Sequence, residues 1–189
     1  GPFNTANGAR PAYTGGSLMG TDATLWDNGG FETQPGLSVL VSPETIFGFG
    51  SQTTANNSVG DDFTVSGGGW NVTQLTFFGY QTNSTTSAST FTSYNWTIYA
   101  GAIGNTSSPV ANGTGLDSSV WTGIYRVTST TLTSTARPIY ANSINVNVNL
   151  ADGQYWVAWN AAGTLASGPW ANPVAPTPGV TNAVQSIAG

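Results

Sequence analysis

Proton chemistry in this chain falls to eight carboxylates: Asp22, Asp27, Glu32, Glu44, Asp61, Asp62, Asp117 and Asp152. The 189 residues contain no histidine, cysteine or lysine, and the three cations are Arg10, Arg126 and Arg137. Imidazole and thiolate metal sites, His-based triads, cysteine nucleophiles and disulfides are therefore excluded. Schiff-base lysines and the P-loop cation go with them. What remains is carboxylate chemistry. A glycosidase needs two carboxylates roughly 5–10 Å apart across a cleft, and nothing in the spacing marks such a pair. Asp117 and Asp152 stand in turn contexts, where an Asp side chain bonds nearby backbone. The chain reads as non-enzymatic, and a carboxylate-based hydrolase is the third of three functional readings.

Three groups of residues are candidates for binding. Asp61 and Asp62 form the densest negative point, and with loop carbonyls they could supply part of the about six to eight oxygens that calcium takes. Against this, neighbours on a strand point to opposite faces, and Asp62 could instead bond backbone amides or an arginine. Calcium is the one cofactor that the residue types leave open. Arg126 and Arg137 lie in strand-like surroundings and are expected to form structural ion pairs with Asp61, Asp62 or Glu32, since a bidentate Arg–carboxylate bond is the strongest polar fixture available. Aromatic faces stack on sugar rings, and Trp26, Trp121, Trp170 and Tyr140, with Tyr13, fall at turns or ends where they could do so. Trp70, Trp96 and Trp159 read as core by alternation, and Trp170, after Gly168-Pro169, could equally plug the end of a sandwich.

The elements that position these residues are strands. Charged side chains make up 6% of the sequence, against roughly 25% in an ordinary domain. Hydrophobic residues at 39% and aromatics at 12% are far from the composition of a disordered chain. A net charge of -5 with three scattered arginines cannot form a nucleic-acid footprint. No run reaches the ~18 apolar residues of a membrane helix, and the N-terminus lacks the apolar region of a signal peptide. Helical periodicity is absent, whereas period-two alternation recurs. From Ile144 to Leu150 every second residue is aliphatic and the others are Asn. The same pattern runs through Tyr94–Tyr99 and Tyr155–Trp159, and Trp70–Tyr80 is rich in β-branched and aromatic residues. Ser38–Val41, Thr45–Phe49, Asp62–Val65, Val120–Val127 and Pro138–Ala141 are further strands. Asp152-Gly153 lies between two alternating runs and predicts a tight hairpin.

About nine short strands with this spacing predict one all-β domain over residues 1–189, an antiparallel β-sandwich of jelly-roll or immunoglobulin-like kind with negligible helix. Residues 1–36 are expected to wrap it irregularly. Residues 168–182 hold four prolines, Pro169, Pro173, Pro176 and Pro178, and predict an extended segment. Ala183–Ala188 could be a last short strand. Six Asn-x-Ser/Thr triplets begin at Asn56, Asn71, Asn83, Asn95, Asn105 and Asn112, and in so Asn- and Thr-rich a chain many such triplets arise by chance.

Several motifs follow one another in a fixed order: Val59-Gly-Asp-Asp-Phe-Thr-Val65, Gly-Gly-Trp70, Phe77-Phe78-Gly79-Tyr80, Trp121-Thr-Gly-Ile-Tyr-Arg-Val127, Arg137-Pro138-Ile139, Gly153-Gln-Tyr-Trp-Val-Ala-Trp159 and Gly163-Thr-Leu-Ala-Ser-Gly-Pro-Trp170. Over most of residues 26–187 this order resembles an uncharacterised family of secreted bacterial β-sandwich surface proteins, often attached to anchoring or sorting tails. The resemblance implies an extracellular or cell-surface location and no particular chemistry. Members continue into another apolar strand where this sequence stops at Gly189, which implies either that the sequence is cut short there or that the last strand is supplied in another way.

These readings converge on a non-catalytic extracellular structural protein that self-assembles into filaments or matrix. A surface with few charges lets copies approach without repulsion, and strand edges template pairing between chains. The donor would be an end segment, residues 1–20 or 172–189, adding a strand to the next subunit. The alternative is a carbohydrate-binding module built on the exposed Trp and Tyr, with a glycan as partner.

Overall fold

The computed structural model describes residues 16–19, 24–27, 30–40, 47–173 and 183–189. Arg10, Tyr13, Asp22 and Glu44 lie outside the described residues, as do most of the donor segment 1–20 and the start of the strand expected at Thr45–Phe49. Among the described residues are thirteen strands and no α-helix. In chain order they are β1 (Gly16–Met19), β2 (Thr24–Asp27), β3 (Leu37–Leu40), β4 (Phe49–Gly50), β5 (Ser58–Val65), β6 (Trp70–Tyr80) and β7 (Phe91–Ala100). Then follow β8 (Pro109–Gly115), β9 (Ser118–Thr128), β10 (Pro138–Leu150), β11 (Gly153–Gly163), β12 (Trp170–Ala171) and β13 (Val184–Ser186). A single 3-10 turn spans Thr53–Ala55. The larger sheet runs β2-β1-β6-β10-β9-β3, with β12 and β4 attached at one end of β6, and the smaller runs β13-β5-β11-β7-β8. All pairs are antiparallel except β3 with β9, which is parallel.

The two sheets pack into a β-sandwich, as the alternation predicts, with thirteen strands rather than about nine. The additional strands are short or glycine-rich and carry little periodicity of their own. β1 and β2 fall inside the segment expected to be irregular. They are strands because the edge of β6 gives them a ladder, with Gly16 to Met19 opposite Phe77 to Gln74. In the Pro-rich segment, Trp170–Ala171 forms β12 against β4 and β6, and residues 174–182 lie outside the described residues.

Alternation sets which side chains enter the core. Ile144, Val148 and Leu150 are buried while Asn145, Asn147 and Asn149 face water. A bulge in β10 fits the run Ile144 to Val148 against the shorter run Leu75 to Val72 of β6, and keeps both ends of the step inward. Two aromatic stacks join the sheets. Phe63 of β5 lies 5.2 Å from Trp26, 6.0 Å from Trp70 and 5.8 Å from Tyr155. Phe77 of β6 lies 5.3 Å from Tyr94 and 5.0 Å from Trp159. Trp96 is buried as expected, and Trp70 and Trp159 pack half-buried against the same core. A second, smaller core of Phe31, Phe78, Tyr80, Ile124 and Ile139, with Phe47 against it, forms where the segments around Phe31 and Phe47 cover one end of the larger sheet's outer face.

Asp152-Gly153 departs from expectation. β10 pairs with β6 and β9, and β11 with β5 and β7, so this turn carries the chain from one sheet to the other instead of closing a hairpin. The neighbouring crossing, from β5 to β6, turns on Gly67, Gly68 and Gly69, all at positive φ.

Candidate functional site

Of the four aromatic candidates, Trp121 of β9 and Tyr140 of β10 stand directly opposite each other, and Trp26 and Trp170 lie on other strands. Trp26 is 3% exposed, its ring tilted against Phe63, because β2 turns it into the sandwich. Tyr140 is 2% exposed. It lies on the inward side of β10, and its hydroxyl donates to the Thr85 carbonyl at 2.5 Å. The surface position expected for these two is thus corrected: strand alternation points both rings inward. Trp121 is half-buried, tilted at 5.4 Å from Tyr125. Trp170 is half-buried in the second core, where it plugs the end of the sandwich, and its Nε1 donates to Ser167 Oγ at 3.3 Å.

Asp61 and Asp62 lie in the middle of β5, both buried. Asp61 shares its side with Val59, Phe63 and Val65, while Asp62 stands opposite Trp156 on the outer side of the smaller sheet, so the two carboxylates do not converge on one ion. Asp61 Oδ1 accepts the Asp62 amide at 2.9 Å. Among the described residues no three His, Cys, Asp or Glu side chains come together as a metal site. The calcium reading of this pair is corrected on that geometry.

Three further carboxylates, Glu32, Asp117 and Asp152, accept backbone amides. Glu32 Oε1 accepts Gly36 N at 2.7 Å, and Asp117 Oδ2 accepts Asn145 N at 2.7 Å. Asp152 accepts three contacts, from Gly68 N at 3.0 and 3.2 Å and from Gly69 N at 2.7 Å. It thereby clamps the two neighbouring sheet-to-sheet crossings together, a role its turn context hinted at but whose partner only the fold supplies.

Arg126 and Arg137, expected to pair with Asp61, Asp62 or Glu32, both contact the segment at Phe47. Arg126 is 2% exposed. Its Nε donates to the Phe47 carbonyl at 3.0 Å and its Nη1 to Ser38 Oγ at 3.2 Å. Arg137 rests over the Phe47 ring, 4.1 Å from its centre, a contact with a ring face. Beside them, burial pushes the Tyr80 hydroxyl up to about 12, against the opposing pull of Arg137 and Arg126. The two cations thus fasten the segment at Phe47 to the larger sheet, whose own strand β3 supplies Ser38 as a further partner of Arg126.

Sequence reasoning missed what lies at the sheet edges. β13 is not left unpaired: Val184, Gln185 and Ser186 stand opposite Gly60, Val59 and Ser58 of the same chain. Its hold is slight. Val184 is 39% and Ile187 70% exposed, and the side-chain bonds are Gln185 Nε2 to Gly50 O at 3.0 Å and Ala188 N to Asn57 Oδ1 at 3.1 Å. β1, in contrast, is paired on both sides, by β2 and β6. At the other edge of the smaller sheet, β8 borders no further strand among the described residues.

Compared with family models, curated proteins and solved structures, the chain matches none of them.

Proposed function

We propose that this protein is a non-catalytic extracellular structural protein, a β-sandwich subunit that joins its copies by strand addition, with residues 172–189 as donor. The extracellular location rests on the scarcity of charge and on the family resemblance of the motifs. β13 is the observation that carries the reading. A three-residue strand with exposed side chains contributes little burial, so its exchange for the same strand of another copy replaces one backbone ladder by an identical one. Twelve residues, Asn172 to Ala183, separate β12 from β13, enough chain to reach roughly 40 Å when extended. β1 is the poorer donor, because withdrawing it would open two ladders.

A cysteine pair tests the exchange in a chain that has no cysteine of its own. Ser58 and Ser186 are directly opposed, at a spacing that an antiparallel pair makes compatible with a disulfide. The double variant Ser58→Cys/Ser186→Cys, oxidised when dilute, is expected to form no filaments or assemblies larger than a dimer on concentration and to form them after reduction, as read by sedimentation velocity and electron microscopy. Filaments or assemblies larger than a dimer formed by the oxidised, intramolecularly linked protein would overturn the proposal.

A further inference from the structure

We infer that β8 is a second self-association edge, at which two copies pair antiparallel about a two-fold axis and fuse their smaller sheets into one of ten strands. This does not rest on exchange of β13, which lies at the opposite edge of that sheet.

Length and chemistry single out this edge. β8 has seven residues, whereas β2, β3, β4 and β13 have four, four, two and three. Every residue of β8 is exposed or half-exposed, and Val110 is 48% exposed. Edge strands of soluble proteins are usually blunted by lysine, inward charges, proline or bulges. β8 carries no charge. Its proline, Pro109, and the register irregularity opposite Ile98 and Tyr99 are both at its first end, which leaves Ala111 to Gly115 regular. On alternate residues of this run the backbone N–H and C=O point away from β7, a pattern that another strand edge completes.

Geometry favours a second copy as the occupant. β8 is antiparallel to β7, and a two-fold axis at its edge sets β8 against β8 in the antiparallel sense, the more stable ladder. No like charges face each other in that pairing. The inward side of β8 is already closed, since the Trp96 ring lies where a side chain on Gly113 would be, 2.9 Å from its Cβ position. The new contact is therefore a backbone ladder with the outward Asn112 and Thr114 beside it. It is smaller than the about 1,600 Å² of a standard interface, so the dimer is weak and forms as concentration rises.

Asn112 is exposed and is the middle residue of β8, so in a pairing centred on the strand the substitutions Asn112→Lys and Asn112→Asp place like charges near each other across the axis. In sedimentation equilibrium, each variant alone is expected to raise the dimer dissociation constant roughly tenfold or more, with an unchanged unfolding midpoint. An equimolar mixture of the two should recover dimer, a rescue that misfolding could not give. The inference fails if the parent protein stays monomeric to about 1 mM, or if both variants dimerise as it does. It also fails if self-association is insensitive to position 112 and is lost only on locking β13 to β5, a result that would leave β13 exchange standing alone.

Discussion

Replacing Asp152 by alanine removes the acceptor shared by Gly68 and Gly69. Because a hydrogen bond to a charged acceptor contributes about 1.5–3 kcal/mol, Asp152→Ala should lower stability by about 2 kcal/mol in urea unfolding, and Asp152→Asn by less. Gly163 is a second sensitive position. A Cβ there would collide with Oε1 of Gln81, which is fully buried and whose Nε2 donates to the Leu165 carbonyl at 2.9 Å. Gly163→Ala is expected to destabilise by about 1–3 kcal/mol through overpacking, as the same urea unfolding would show. Neither effect follows from residue type alone, since in each case the partner lies on a strand or turn distant in sequence.

Among elements, the most informative are the covering segments at Phe31 and Phe47, the latter fastened by Arg126 and Arg137. Phe31 and Phe47 have no periodicity to mark them as core, and the second cluster exists because these segments fold over Phe78 and Tyr80. Tyr80 reports on the closure. Its hydroxyl is held up to about 12 by burial, against an ordinary value near 10. Folding thus favours the neutral phenol: the stabilisation is complete below about pH 10 and is lost as pH rises towards 12. Tyr94 is raised well above its ordinary value for the same reason. Absorbance at the phenolate band should show these two rings resisting ionisation until the protein unfolds. Tyr80→Phe should flatten part of the alkaline loss of stability, and an unaltered curve would count against closure over Tyr80.

For the whole molecule, the missing histidines and lysines leave few groups to titrate near neutrality, so unfolding free energy should be nearly constant from about pH 6 to 9. A chemical-denaturation series across that range checks this, and a change above about 1 kcal/mol would contradict it. The sequence by itself determined the all-β class, the sandwich and the inward side of the long strands, because period-two alternation over β6, β7, β10 and β11 is a local property of the chain. The excluded chemistries are equally legible, because an absent residue type needs no fold. Only the tertiary structure decided that Asp152-Gly153 crosses between sheets, that Trp26 and Tyr140 turn inward, and that Asp61 and Asp62 diverge. It also decided that the arginines meet Phe47. Each depends on which strand lies beside which, and strand pairing is set by contacts between residues far apart in sequence. The edges left over after that pairing, β13 and β8, are where the proposed assembly acts; the sequence marked Ala183–Ala188 as a strand, but that it borders β5, and that β8 lies at the opposite edge, only the pairing decided.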